Sequence, residues 1–567
     1  MGGLELVLLL LAVSAGLRIV ATRLALPYAA ILVVGGLLLA LIPDLPRVEL
    51  APDVLFLIFV PPLLYWGAVS FPLRDLRREL GPILRLAVLM VLVSTAAVAA
   101  LAHHMDPAFT WAAAFALGAI VSPPDPVAVI SLMRTPSLRA PRPVESILEG
   151  EGLFNDATAL VAYRIAVGAA VTGTFSPLRA SWQFLLAAAG GLAIGLVVAF
   201  VTARLHRLTK SVPVAENTVS LLTPFAAFLP ADLVGASGVI AVVACGMYLS
   251  RELSDVGSPE ARLQNQEMWL VVTFVLESLV FILVGLELPY VLRSLEGRSL
   301  ASLLEQAAWV CLCVVAVRLI WVVPSTYIGR TVGAWLRGEE RVYPNWRWIM
   351  FIGWSGIRGG DSLVIALALP LTTMTGAPFP ARGQIIFITF CVIFVTLVAQ
   401  GPTLAPIARW LGFQRDRSGE SEEAHARLSA AEAGLHVLSA PQFANSPYPE
   451  IPRYLRQRHR QRARRWATVE SRRMHHSPND QNPHDHQVAA PSHATGELDD
   501  RRATEYRRIR SAMIAAEREA LLDLRDRDVI GDDVMRRVLR DLDLETVLLE
   551  SREPVVEPSS EAPWTGS

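Results

Sequence analysis

The sequence predicts an all-α polytopic membrane protein of about 13 transmembrane helices, two of them broken, followed by a helical cytoplasmic tail. Three observations predict it. The chain of 567 residues is 53% hydrophobic and only 18% charged, too apolar for an ordinary soluble enzyme. Its apolar residues gather in runs near the roughly 20 helical residues that cross a bilayer. Charge is segregated as well: residues 413–567 hold 24 Arg and 27 Asp or Glu, about a third of that segment, whereas about an eighth of residues 1–412 are charged. With a net charge of −1, this balance excludes a disordered regulator or a nucleic-acid-binding protein.

The predicted spans are 4–21, 27–42, 54–71, 82–102, 109–132, 143–171, 182–205, 219–229, 238–249, 268–288, 303–328, 346–369 and 385–411. Alternate connections carry the arginines, from Arg18 and Arg23 through Arg74, Arg77 and Arg78 to Arg409 and Arg415. By the positive-inside rule the N-terminus lies outside and the tail is cytoplasmic. The first run lacks a basic leader and a small-residue cleavage site, so it reads as a retained helix. Cys245, Cys311, Cys313 and Cys391 lie in apolar stretches without ligand spacing, so neither a metal cofactor nor a disulfide is expected.

A charge near the bilayer centre costs at least about 2.5–3.5 kcal/mol, so each one needs a partner or a job. In the fifth span Asp125 follows Pro123 and Pro124 and precedes Pro126; each proline removes an N–H donor, and together they break the helix. The sixth span opens with Glu149, Glu151, Asn155 and Asp156. Glu149 suits the helix start. Glu151 and Asn155 share a face at i,i+4, with Asp156 about 100° further round. In the twelfth span Gly353, Gly356, Gly359 and Gly360 loosen the helix around Arg358 and Asp361. A second interrupted helix in the later half fits an inverted repeat relating spans one to six and eight to thirteen. Glu277 and Arg318, of opposite sign in separate spans, are expected to form a structural ion pair.

These residues carry a resemblance. PPLLYWG (61–67), DPVAV (125–129), EGEGLFND (149–156), ESLVFILVGL (277–286) and IRGG (357–360) occur in the order found in monovalent cation/proton antiporters, and residues 1–412 resemble the NhaP-like branch of the Na+/H+ exchanger family in its bacterial form. The resemblance implies a homodimer whose protomers have two crossed broken helices in a mobile core. It implies Asp156 as the ion- and proton-carrying carboxylate, Asn155 as its amide neighbour and Asp125 in the broken helix, with Asp156 and Asp125 as cation ligands. Glu151 and Arg358 match a charge network beside the site, with Asp361 adjoining it, and Glu277 and Arg318 match a structural pair. Many relatives have Thr at the position of Pro124, Ser at Gly152, a carboxylate near Trp66, and a small or apolar residue at Asp361. Up to three oxygen ligands are thus missing and one carboxylate is added.

A carboxylate can bind either a hard monovalent cation or a proton, so one side chain serves both substrates. The function expected is exchange of Na+, or K+ or Li+, for H+ across the plasma membrane by competition at Asp156 with alternating access, without a cofactor. An Asn–Asp pair offers one titrating group and predicts electroneutral one-for-one exchange. Asp361 would add charge if it titrated with Asp156, unless Arg358 holds it ionised. A K+-selective exchanger or a proton-coupled carrier of another solute is the alternative. An enzyme is not expected: Gly353-Trp354-Ser355-Gly356 has a protease-like GxSG spacing, but the only histidines before the tail are His103, His104 and His206, away from it in sequence.

The tail divides at the sequence level into a charged linker, 413–497, expected to be disordered, and a helical module, 498–567. There Tyr506, Ile509, Met513, Ala516 and Leu524 form an apolar stripe, and residues 529–532 read as a turn before a shorter helix.

Overall fold

The computed structural model describes residues 3–24, 28–42, 52–133, 140–209, 212–256, 258–293, 295, 299–338, 343–413, 418–474 and 496–550. The chain divides into two compact units, one of Met1–Gly257 and Asn265–Asp416, the other of Ser258–Gln264 and Arg417–Ser567.

The first unit is helical. Its opening helices are α1 (Gly3–Leu24), α2 (Tyr28–Leu39), α3 (Pro52–Ser70), α4 (Leu73–Leu84) and α5 (Val91–Met105), the last two joined by a π-helical stretch, Arg85–Met90. Next come α6 (Trp111–Val121), α7 (Pro126–Met133), α8 (Arg142–Thr172), α9 (Pro177–Thr209), α10 (Pro213–Leu233) and α11 (Gly238–Val256). The rest are α12 (Pro259–Arg293), α13 (Leu300–Arg337), α14 (Trp346–Trp354), α15 (Asp361–Leu367) and α16 (Arg382–Phe394), which runs through a second π stretch, Val395–Gln400, and a short turn into α17 (Leu404–Trp410). Among the described residues the only β pairing is the isolated bridge between Thr372 and Pro378. Among the described residues six helices are long and apolar enough to cross a membrane, including Leu73–Met105, Leu300–Trp335 and Arg382–Trp410; Tyr28–Leu39, Phe56–Ser70 and Trp111–Val121 are shorter apolar helices.

Local chemistry sets the helix ends. The Thr110 hydroxyl accepts from the Ala113 N–H at 3.3 Å to start α6, the Asn345 side chain caps α14 through Arg347 at 3.1 Å, and left-handed Gly173 and Gly338 end α8 and α13. In lipid, helices gain little from burying apolar surface and associate through close packing of small residues. In α6, Ala113, Ala114, Ala116, Gly118 and Ala119 are buried where the helix lies against α5 and α8.

The second unit corrects the expected tail boundary. Helices α18 (Ser418–Val437), α19 (Pro441–Ala444) and α20 (Glu450–Met474) lie inside the stretch 413–497 expected to be a disordered linker. They pack with α21 (Gly496–Asp526) and α22 (Asp532–Glu550). The reason is that α20 needs few apolar residues: it buries Ile451, Leu455 and His459 at i,i+4,i+8 and leaves Arg453, Arg458, Arg460, Arg464 and Arg465 exposed. Residues 475–495, which carry five of the histidines, lie outside the described residues. Ile509 and Met513 of the expected stripe are fully buried, together with Ile514 and Leu521.

A buried charge network ties this unit together. Arg510 donates to Glu517 at 2.5 Å and to both oxygens of Glu545 at 2.7 Å, linking two sites on α21 to α22. The His459 ring lies 3.0 Å from the Leu455 carbonyl and 3.1 Å from Glu517; both neighbours are acceptors, so both bonds form only with the doubly protonated ring. Arg262, in the segment Ser258–Gln264, grips Asp543 at 2.5 and 2.8 Å, and Arg518 donates to the same carboxylate at 2.9 Å. Burial pushes the Glu517 carboxyl up, but hydrogen bonds from His459 and the Arg510 charge outweigh it and hold the group below the usual carboxylate range. Glu545, with 28% of its side chain exposed, is also held low by Arg510.

Because both carboxyls are depressed in the folded state, their stabilisation is complete above the unfolded value of about 4.3 and is lost as pH falls through the folded values below it. Replacing Arg510 by Met removes the guanidinium from Glu517, which keeps His459, and from the part-exposed Glu545, and should cost up to about 3–5 kcal/mol. Hydrogen exchange on the purified full chain should then show faster exchange in α21 and α22, and unchanged protection would mean that the network is not stabilising.

Candidate functional site

The two proline- and glycine-marked sequences are helix breaks in the structure. Between α6 and α7 the chain leaves helical geometry at Ser122–Asp125, and between α14 and α15 at Ser355–Gly360. The breaks meet: the Asp125 N–H donates to the Ile357 carbonyl at 2.7 Å. A Cβ on Gly359 would lie 2.2 Å from an Asp125 carboxylate oxygen, so only glycine permits this approach.

Each break exposes carbonyls at a helix C-terminus, where partial negative charge collects. Buried arginines answer it. The Arg358 guanidinium, fully inaccessible, donates to the carbonyls of Val121 at 3.0 Å, Ser122 at 3.2 Å and Gly356, while its backbone N–H donates to the Thr396 hydroxyl at 3.1 Å. At the end of α14, Arg318 takes the Ile352 carbonyl at 3.1 Å and Gln400 takes that of Trp354 at 2.5 Å. At the end of α15, Arg382 takes the carbonyls of Leu369 and Leu367 at 3.0 and 3.2 Å. Thr396 and Gln400 belong to the π-helical stretch and were not singled out in the sequence; a neutral polar residue in an apolar run is their only signal. Ser355 of the GxSG spacing donates its hydroxyl to the Phe351 carbonyl at 2.6 Å.

Arg318 does not pair with Glu277, as the sequence led one to expect. Its guanidinium holds Glu151 in a bidentate bridge of 2.5 and 2.8 Å, with both side chains 1% exposed. Arg318 stands where α13, α14, α8 and the first π stretch meet, touching Met90 at 3.6 Å, and of the two acids only Glu151 projects into that junction. Glu277, on α12, faces elsewhere: the charges that bear on it are those of Asp125, Asp361 and Arg18. Glu151 and Arg358 do fall in one electrostatic cluster, with Arg318 between the carboxylate and the broken helices.

Asn155, fully buried, donates through Nδ2 to the Pro124 carbonyl at 2.7 Å, which ties α8 to the first break. Its Oδ1 is buried and accepts no hydrogen bond. Asp156, Asp125 and Asp361 are each partly exposed, and the charges that bear on Asp156 are those of Asp361 and Asp125. Among the described residues no hydrogen bond or ion pair engages the side chains of Asp156 or Asp361. Arg358 is spent on carbonyls and does not reach Asp361. Among the described residues no three His, Cys, Asp or Glu side chains converge as a multivalent metal site would require; what converges is carboxylate, amide and backbone oxygen.

A carboxylate such as Asp156, without a cationic partner between two broken helices, is how membrane carriers hold a cation. The profile of the family described as sodium/hydrogen exchanger, transmembrane, matches residues 8–410. This chain belongs to the sodium/hydrogen exchanger family. It is 32% identical over 522 residues to an uncharacterized Na+/H+ exchanger of Mycobacterium bovis, covering 92% of this chain and 91% of that one. It is 34% identical to a sodium, potassium, lithium and rubidium/H+ antiporter of Bacillus pumilus, over 64% of this chain and 55% of the relative. The exchanger also shares its fold with the sodium proton antiporter MjNhaP1 of Methanocaldococcus jannaschii, with a TM-score of 0.52 and 19% identity over 72% of this chain and 98% of that one. It is thus a multi-pass membrane protein of the Na+/H+ exchanger family.

Removing Arg318 would leave Glu151 charged and alone in a dry interior. In the exchanger, Arg318→Met should cost about 3–5 kcal/mol, whereas Glu151→Met combined with Arg318→Met should recover much of it. Thermal melting of the detergent-solubilised variants measures both, and a double variant no more stable than the single one would contradict the pairing.

Proposed function

We propose that the chain exchanges Na+, with Li+ and K+ as further candidate cations, for H+, and that cation and proton compete for Asp156 as access alternates between the two sides of the membrane. The observation that carries this is the Asp156 carboxylate, partly exposed between two broken helices, without a cationic partner, beside the unpartnered Asn155 oxygen. A carboxylate so placed needs a positive charge, and a proton or a hard monovalent cation supplies it equally well. Asn155 contributes an oxygen ligand and is itself positioned by Pro124; Asp125 adds negative potential from the first break. Arg358 neutralises the helix end behind the site, so that the field at Asp156 comes from carboxylates. The breadth of cations named for the Bacillus pumilus relative supports testing all three.

In this reading each visit to one side loads one proton or one cation, the site's net charge is the same either way, and exchange is electroneutral and one for one. The gradient of one ion drives the other because only loaded states interconvert. The thirteen-span inverted-repeat architecture, the outside N-terminus, the cytoplasmic tail and a homodimer are part of the proposal, supported by the alternation of arginines along the sequence and by the family. Everted vesicles provide the test. Adding Na+, K+ or Li+ should dissipate an imposed pH gradient, and Asp156→Asn should lower the rate by at least about a hundredfold, in line with loss of a positioned proton carrier. Activity that survives this change refutes the assignment of Asp156, and a transport current in proteoliposomes refutes the one-for-one count.

A further inference from the structure

Helices of the first unit pack in two groups beside the candidate site. In one, α11 packs on α3, α9 and α10; in the other, α5, α6 and α8 pack together, α13 and α16 join them, and α4 and α7 lie on α8. Where α8 meets α3 the contact is apolar: Leu153 lies over Gly67, where a Cβ would meet its Cδ2 at 3.2 Å. An ion pair also crosses this boundary. Arg164 of α8 donates to Asp232 of α10 at 2.5 Å, with the two side chains 41% and 42% exposed. By contrast, Arg142–Asp75, Arg330–Glu79 and Arg318–Glu151 stay within the second group and Arg207–Glu252 within the first. Asp232 is the penultimate residue of α10, where a carboxylate opposes the negative end of the helix dipole. Its place is fixed by left-handed Gly235, whose N–H donates to the Asp232 carbonyl at 3.0 Å, and by the Ser237 N–H on the Ala187 carbonyl of α9 at 2.9 Å. Arg164 lies two helical turns, about 12 Å, beyond Asp156 on α8, so the pair stands on the Thr172 side of that carboxylate.

From this arrangement we infer that the Arg164–Asp232 pair is a latch on alternating access. Made, it holds the two helix groups together on the Thr172 side of Asp156; it breaks each time that carboxylate is turned toward that side. The inference rests on the exchange reading above. Alternating access moves one bundle of helices against another around the bound ion, and the boundary between α8 and the α3, α10 and α11 group adjoins the helix that carries Asp156. The exposure of the pair suits a contact that is remade in every cycle. An exposed ion pair shifts an equilibrium by a factor of about two to five, so it biases the two states without locking either. A buried pair such as Arg318–Glu151, with both side chains 1% exposed, costs far more to part because both charges are left dry, and it joins two helices of one group. Water stands ready to solvate Arg164 and Asp232 when they separate, and Arg164 offsets the dipole at the end of α10 when they meet.

Cross-linking tests the latch in proteoliposomes of the full-length protein, with dissipation of a pH gradient by Na+, K+ and Li+ as the readout. In a background with Cys245, Cys311, Cys313 and Cys391 replaced by Ser, Arg164→Cys and Asp232→Cys are joined by a short reducible bis-methanethiosulfonate. Joining should lower the rate at least about tenfold, because a tied boundary cannot alternate, and reduction should restore it. Capping the same two cysteines separately with methyl methanethiosulfonate should leave the rate within about twofold of the uncapped variant, which separates a tied boundary from a blocked entrance. With the native cysteines kept, Arg164→Gln and Asp232→Asn should each change the rate in the same direction by a factor of about two to five. The double variant should add nothing further, and Arg164→Asp with Asp232→Arg should recover the wild-type rate. Full-rate exchange by the cross-linked protein, cysteines that the linker does not join, or additive effects of the two single variants overturn the latch and leave Asp156 as the carrier. Absence of any cation-dependent exchange in the wild type, or exchange persisting in Asp156→Asn, overturns the underlying function instead.

Discussion

A helix that stops inside a membrane leaves carbonyl groups that no lipid can satisfy, each costing several kcal/mol, and the rest of the first unit is arranged around that cost. The ends of α6, α14 and α15 are each met by an arginine: Arg358 on Val121 and Ser122, Arg318 on Ile352, and Arg382 on Leu367 and Leu369. An arginine suits this task because its planar fork satisfies two or three acceptors at once and its charge opposes the helix dipole. Two of these guanidiniums are fully buried, and only Arg318 needs a carboxylate, Glu151, to balance its charge.

The consequence for function is a division of labour among charges. Positive groups are taken up by backbone carbonyls and by Glu151, so neither Arg358 nor Arg318 pairs with Asp156 or Asp361. The same contacts that stabilise the breaks therefore leave the negative potential in front of them unopposed by Arg358 and Arg318. The close approach of Gly359 to Asp125 and the Asn155 clasp on Pro124 hold the two breaks and α8 in a defined geometry.

The tail solves a different problem with the same residue types. There Arg510, Glu517 and His459 are buried and, with the part-exposed Glu545, form a charge network that joins α20, α21 and α22 beside an apolar core that includes Ile514, Leu521, Val534 and Leu542. That is why the arginine-rich stretch around α20 reads as linker in sequence and is a helix in the fold: its apolar contribution is only Ile451 and Leu455, and a buried histidine completes the face.

Much of the candidate site was legible in the sequence, because a membrane makes exceptions conspicuous. Asp125 among prolines, Asp156 and Asn155 deep in an apolar run, and Arg358 and Asp361 among glycines all violate the cost rule for buried polarity, so composition and position alone single them out. Partnership was not legible. Whether Arg318 meets Glu151 or Glu277, and whether Asp361 meets Arg358 or Asp156, depends on the rotation of each helix about its own axis and on where two breaks cross, and linear spacing carries no information on either. Thr396 and Gln400 were hidden for the same reason, since their importance comes only from the carbonyls and N–H that tertiary packing brings to them. The sequence by itself determined which residues must be compensated; the tertiary structure alone decided by what, because compensation is a matter of a few ångströms between segments far apart in the chain.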